Sequence, residues 1–150
     1  MSTTANRELV VTRMIDAPRP LVFKAWTDPE QIAHWWGPKG FVTVDYEMDI
    51  RPGGAYRFRM RSADGTDMRK RGIYREIVAP ERLVFTFAWE EPDGTLDHEL
   101  LITVTFEDLG LRTRLTLRQT GFEAVETRDS HVTGWTSCLE RFAEYMIATT

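Results

Sequence analysis

Alternation of apolar and polar residues dominates the middle of the chain. From Phe41 the apolar period is two, and the same period returns in five later segments separated by turns rich in glycine and aspartate. Such a period places apolar side chains on one face of a β-strand. In the segment that begins at Phe41, the residues predicted to share one face are Val42, Val44, Tyr46, Met48 and Ile50. The pattern predicts a six-strand antiparallel meander, at 41–50, 56–61, 69–78, 83–90, 98–106 and 111–119, with an earlier strand at 9–16.

Two short helices are predicted between the strand at 9–16 and the meander. Asp16-Ala17-Pro18 precedes an amphipathic segment at 19–27, and Asp28 is placed to cap a second helix with Pro29 at its first position. Gly37-Pro38 ends this second helix soon after it begins, because neither residue continues a helix well.

A long amphipathic helix is predicted at 123–148. Its apolar residues recur at spacings of three and four and form one stripe, made of Val132, Trp135, Leu139, Phe142 and Met146. Gly134 lies inside this helix, where glycine costs about 1 kcal/mol relative to alanine. We therefore expect close approach of another backbone or of a ligand at Gly134.

These elements predict an α+β domain of the helix-grip type. A curved antiparallel sheet of about seven strands must bury one face, and only the C-terminal helix is long enough to cover it. One helix is too narrow to cover seven strands completely. The geometry therefore predicts a space between the sheet and the helix, partly closed by the two short helices.

Composition places the chain among single-domain globular proteins. The 150 residues are 42% hydrophobic, which is sufficient for a core, and we expect a flexible N-terminus at 1–8 followed by one domain at 9–150. No apolar stretch approaches the roughly 20 residues that cross a bilayer, so membrane insertion is not expected. The polar N-terminus, without a signal peptide, and the single Cys138 favour a cytoplasmic location.

Catalytic and metal-binding motifs are not recognisable in the sequence. There is no nucleophile elbow, phosphate-binding loop or HExxH pattern, and the three histidines are each more than thirty residues apart. We therefore predict no metal and no cofactor. Cys138 is expected to be a buried structural thiol, because only Arg141 lies close enough in sequence to activate it.

A basic cluster at 57–75 does not indicate nucleic-acid binding. Asp45, Glu47 and Asp49 occupy the polar face of the preceding strand, where a turn at 51–54 sets them opposite arginines at 57, 59 and 61. Cross-strand ion pairs explain this pattern. The net charge of −4 gives no further reason to expect a nucleic-acid partner.

Aromatic residues are the strongest candidates for the walls of the predicted space. Ligand pockets are mainly apolar and have few polar anchors. The candidate wall residues are Tyr46, Phe58, Tyr74, Phe85, Phe87, Trp89, Ile102 and Trp135, with Trp35 or Trp36 near the entrance. His98 shares the strand parity of Leu100, and His131 lies one helical turn before Trp135. These two histidines are the candidate polar anchors.

Motifs along nearly the whole chain resemble the AHSA1-type branch of the START-like (SRPBCC, Bet v 1-like) superfamily. The motifs are Ile15-Asp16-Ala17-Pro18, the run at 22–30, Trp35-Trp36-Gly37-Pro38, the run at 51–58, the segments at 72–77 and 80–85, and Gly134-Trp135 before Leu139. Their order and spacing carry the resemblance. It implies the helix-grip fold with an apolar cavity between the sheet and the C-terminal helix.

The leading hypothesis is binding of a small hydrophobic or amphipathic ligand, lipid-like or aromatic, in that cavity. One alternative is a cyclase or hydrolase acting there on a polyketide-like substrate, and another is a co-chaperone-like or regulatory protein-interaction module. Binding is favoured over catalysis. An Hsp90-type chaperone is not the expected partner, since only about eight residues precede the first strand where the namesake co-chaperone has a further domain. A homodimer is compatible with the sequence.

Overall fold

A computed structural model describes residues 8–149, so the predicted flexible N-terminus, apart from Glu8, lies outside the described residues. The elements in chain order are β1 (Leu9–Ile15), α1 (Arg19–Thr27), α2 (Pro29–Trp35), β2 (Phe41–Met48), β3 (Ala55–Ser62), β4 (Asp67–Val78), β5 (Arg82–Glu90), β6 (Leu100–Asp108), β7 (Thr113–Thr120) and α3 (Val125–Thr149). The seven strands form one antiparallel sheet in the order β1-β7-β6-β5-β4-β3-β2. The predicted helix-grip α+β fold is confirmed.

The sheet and the three helices enclose the core on one side of the sheet. The C-terminal half of α3 buries Leu139, Phe142 and Met146, and it packs beside β1 and α2. The ring of Phe142 lies 4.6 Å from that of Trp35, centroid to centroid. Trp35 also donates a hydrogen bond from Nε1 to the carbonyl of Ala25, at 3.1 Å, which ties α2 to α1.

The start of β2 departs from the predicted alternation. A bulge between Thr43 and Asp45 inserts Val44 as an extra residue opposite β3. An extra residue moves every side chain on one side of it to the opposite face of the sheet from the one that simple alternation predicts. Val42 and Val44 are therefore exposed, whereas Tyr46 and Met48 pack against the core as predicted. The prediction of one continuous apolar face from 42 to 50 was wrong for this reason.

The arginine-rich outer face of the sheet is paired with carboxylates. Arg57 contacts Asp45 at 2.9 Å and Glu47 at 3.1 Å, as the cross-strand prediction requires. Arg59 instead pairs with Asp67 of β4, at 2.8 Å. Each exposed pair contributes little to stability, but the pairs give several arginines of the basic cluster a carboxylate partner within the sheet.

Gly72 lies where β3, β4 and β5 come closest together. It is opposite Tyr56 on β3, and a Cβ atom at this position would lie 2.0 Å from the carbonyl oxygen of Thr86 on β5. That carbonyl accepts a hydrogen bond of 2.5 Å from the Tyr56 hydroxyl, while the Thr86 hydroxyl accepts one of 2.8 Å from the amide of Ile73. Side chains thus replace part of the backbone ladder, and only glycine leaves room for the arrangement.

Candidate functional site

A pocket of about 380 Å³ lies between β4, β5 and the N-terminal half of α3. Its wall is mostly apolar, and the loop after α2 completes it. The lining residues are Gly37, Pro38, Met68, Lys70, Phe87, Trp89, Ser130, His131, Thr133, Gly134, Trp135 and Cys138. The volume falls in the range of pockets that hold small organic molecules.

One face of α3 forms the helical side of the pocket. His131, Gly134, Trp135 and Cys138 follow the spacing i, i+3, i+4 and i+7, which places them on one side of a helix. An added Cβ at Gly134 would have no atom within 4 Å. Of the two expectations for this glycine, approach by another backbone was therefore wrong, and open space beside the helix is what the structure shows.

A chain of hydrogen bonds orders the pocket wall around His131. Trp89 donates from Nε1 to Nε2 of His131, at 3.2 Å, which requires the proton of the ring to be on Nδ1. Nδ1 then donates to Oε1 of Gln119, at 3.1 Å, and Trp135 Nε1 donates to the same oxygen at 2.8 Å. Both nitrogens of His131 are hydrogen-bonded, so the imidazole holds Trp89 directly and the side chain of Gln119 holds Trp135.

The pKa of His131 is lowered from 6.5 to about 4, first by burial and then by the nearby charge of Lys70. A protonated ring would also place a donor against the N–H of Trp89. Both effects keep the imidazole neutral at physiological pH. The pocket wall therefore carries no positive charge from His131.

We expect acid to weaken folding through His131. Between pH 6.5 and 4 the unfolded chain binds a proton at this residue and the folded chain does not, so the free energy of unfolding falls as pH falls through that window. The His131→Gln variant should show a smaller loss than the wild type when urea unfolding is followed at pH 6.5, 5.5 and 4.5. Parallel curves for the two proteins would contradict this assignment.

Lys70 is the pocket residue that the sequence-based candidates missed. On β4 it shares parity with Met68 and Tyr74 and is 4% exposed, while Arg69 and Arg71 point outward. Its Nζ lies over the rings of Trp36, Phe87, Trp89 and Trp135, at 4.4, 5.0, 5.3 and 5.7 Å from the centroids. Burial lowers the pKa of Lys70 to about 7, which the Cys138 thiol opposes only weakly.

Cys138 closes the inner end of the pocket as a buried thiol. Burial raises its pKa to about 11, although the charges of Lys70 and Arg141 act in the opposite direction. Its sulfur lies 3.8 Å from the carbonyl oxygen of Trp35. A thiol with so high a pKa has little thiolate at neutral pH, so the geometry gives it a packing role.

The remaining candidate wall residues separate into two groups. Phe87, Trp89, His131 and Trp135 line the pocket, as the sequence-based candidates place them. Four others surround a separate crevice of only about 10 Å³: Trp36, Phe58, Tyr74 and Phe85. Among them, the ring of Trp36 stacks on that of Phe58, and the ring of Tyr74 packs against that of Phe85. Tyr46 stacks on Phe58, with centroids 6.4 Å apart.

Three candidates lie away from the pocket. Trp35 and Ile102 are fully buried in the core, so Trp35 is not at an entrance, and neither is Trp36. Instead, the following Gly37-Pro38 reaches the pocket. His98 is exposed in the loop before β6, which begins at Leu100, and its Nε2 lies 2.6 Å from the carbonyl oxygen of Gly121. The strand predicted from residue 98 thus begins two residues later, and His98 lies outside the pocket.

No group of three or more histidine, cysteine, aspartate or glutamate side chains within residues 8–149 is arranged to hold a metal ion. Of the helices in the same range, none has both the length and the apolar content to cross a bilayer.

Comparison with known proteins adds a family and a set of similar structures. The family model for activator of Hsp90 ATPase homolog 1-like protein matches residues 16–146. A crystal structure of an AHSA1 protein from Silicibacter pomeroyi shares 23% identity, with a TM-score of 0.87 over 95% of this chain and 99% of that one. Comparison with curated proteins gave no match.

Two further bacterial structures have the same fold. A protein of Chromobacterium violaceum is 27% identical, with a TM-score of 0.81 over 93% of this chain and 96% of that one. The solution structure of a protein from Arthrobacter aurescens is 25% identical, with a TM-score of 0.86 over 99% and 90%. The similarity therefore extends over essentially the whole domain.

Proposed function

Because the chain belongs to the family of activator of Hsp90 ATPase homolog 1-like proteins, in the START-like superfamily, we propose that it binds a small hydrophobic or amphipathic ligand between the sheet and α3. The observation that carries this proposal is the pocket of about 380 Å³ walled by Phe87, Trp89 and Trp135. These aromatic side chains bury large apolar areas, and the rest of the core is closely packed.

The pocket offers enough apolar surface for useful affinity. Burying about 200 Å² of a ligand's hydrocarbon surface contributes about 5 kcal/mol before the costs of association. The hydrogen bonds through His131 and Gln119 hold the two tryptophan rings in place without the ligand. A pre-ordered wall reduces the entropy lost on binding.

Gly134 allows a direct test of this proposal. The fluorescent probe N-phenyl-1-naphthylamine, an uncharged aromatic amine, should bind the wild type saturably with micromolar affinity. Gly134→Leu places a side chain in the open space beside the helix, so probe affinity should fall at least about tenfold. Leucine is a good helix former, so unfolding in urea should show no loss of stability.

The matched control is Gly134→Ala. A methyl group at this position meets no atom within 4 Å, and alanine favours the helix, so stability should rise by about 1 kcal/mol. Probe affinity should remain within threefold of the wild type. Absence of saturable probe binding, or equal affinity of the wild type and Gly134→Leu, would refute binding in this pocket.

A further inference from the structure

Lys70 is a buried cation that faces the pocket, and the described residues pair it with no carboxylate. Within residues 8–149 no aspartate or glutamate lines the pocket, and the other ionisable residues that line it are His131 and Cys138. Burying a charge without a partner is costly, so a ligand that supplied the partner would offset that cost. Replacement by a methionine of similar shape would remove that cost.

The surroundings of Lys70 attract a cation but do not neutralise it. Its Nζ lies over four aromatic rings, at 4.4 to 5.7 Å from their centroids. Such rings fix the position of an ammonium group through their quadrupoles. They supply no full negative charge, so the position opposite Nζ is suited to an anionic group from outside the chain.

Resting on the proposed function, we infer that the ligand is an apolar monocarboxylate, whose carboxylate pairs with the Lys70 ammonium and whose hydrocarbon body lies against Phe87, Trp89 and Trp135. The pair would neutralise both charges away from water, where a charge-assisted hydrogen bond is strong. Binding would favour the protonated amine, whose pKa without ligand is about 7.

The composition of the wall favours a single negative charge over a phosphate dianion. Lys70 is the one lysine or arginine among the lining residues, and His131 is neutral with both nitrogens occupied. A dianion would leave one charge without a partner in an apolar pocket. Cys138, the other ionisable group near Lys70, is protonated and adds no charge.

The test compares ligands that differ only in the head group. Decanoate is set against 1-decanol, and 2-naphthoate against 2-naphthalenemethanol, each by displacement of N-phenyl-1-naphthylamine at pH 7. In the wild type at least one acid should displace the probe at a concentration about tenfold or more below that of its alcohol. In Lys70→Met this preference should disappear, so that each acid displaces the probe no better than its alcohol does.

The control for the loss of a positive charge is Lys24→Met. The chain has only three lysines, and Lys24 is exposed on α1, so this variant should retain the wild-type preference for the acid. Equal displacement by acid and alcohol in the wild type would overturn the inference while leaving the proposed function intact. So would an acid preference that persists in Lys70→Met. Failure of the probe itself to bind would instead count against the proposed function.

Discussion

Replacing Gly72 by alanine should destabilise the protein by about 3 kcal/mol or more, which is the largest single-residue loss we expect. The added methyl group would lie 2.0 Å from the carbonyl oxygen of Thr86 and 2.8 Å from a ring carbon of Tyr56. The first of these is a backbone atom of the neighbouring strand, so it cannot rotate away as the end of a flexible side chain could. β4 and β5 would have to separate.

The separation would also break hydrogen bonds that depend on this close approach. Tyr56 donates to the Thr86 carbonyl, and Ile73 donates to the Thr86 hydroxyl. Buried polar groups that lose their partners add to the cost of the steric contact. Urea unfolding of Gly72→Ala measures the sum of these effects.

The same substitution at Gly134 provides the contrast. Gly72→Ala should lower the free energy of unfolding and Gly134→Ala should raise it, because one methyl group meets a backbone and the other meets open space. A Gly72→Ala protein as stable as the wild type would show that the two strands separate at little cost. That result would contradict the tight packing described at Thr86.

Lys70→Met should stabilise the protein by about 3 kcal/mol at pH 6, the second-largest effect. The pKa of Lys70 is lowered from 10.5 to about 7 by burial, which corresponds to at most about 5 kcal/mol at 1.4 kcal/mol per pKa unit. Attraction to the surrounding rings offsets part of this cost. Methionine fills nearly the same volume without a charge.

The sign of the pH dependence follows from proton counting. Between pH 7 and 10.5 the unfolded chain holds a proton on Lys70 that the folded chain has released, so wild-type stability rises with pH in this window. Below pH 7 both states are charged and the penalty is fully present. The advantage of Lys70→Met should therefore be largest at pH 6 and should shrink toward pH 10.

Urea unfolding of both proteins at pH 6, 8 and 10 checks this expectation. Lys24→Met is again the control for the loss of a positive charge, because the Lys24 side chain is exposed on α1. A constant difference between Lys70→Met and the wild type across the three pH values would mean that the amine is solvated in the folded protein.

Periodicity was sufficient to predict the order of elements but not every strand face. The six strands of the meander and the three helices each depend on a regular repeat, which survives small errors at their ends. The bulge at Val44 is different, since one extra residue leaves the composition of the strand unchanged and reverses its parity. The position of the bulge is determined by the pairing of β2 with β3, and that pairing is not a local property of the sequence.

The pocket was predicted only in part, for two physical reasons. Four aromatic side chains face inward from the sheet, those of Phe58, Tyr74, Phe85 and Phe87. Which of them border the pocket depends on how the helices pack against the sheet. Lys70 falls within the basic cluster at 57–75, between Arg69 and Arg71, and its charge does not distinguish it from them. The alternation of side chains along β4 places Lys70 on the same face as Met68 and Tyr74. This alternation predicts the inward position of Lys70 better than its charge does.

The two halves of α3 have different surroundings. Leu139, Phe142 and Met146 hold the helix against the core, whereas His131 and Gly134 border the empty volume. A substitution at Gly134 therefore meets fewer packing constraints than one at Leu139, Phe142 or Met146. An evolving lineage could change what the pocket accepts while the part of the helix that secures the fold stays as it is.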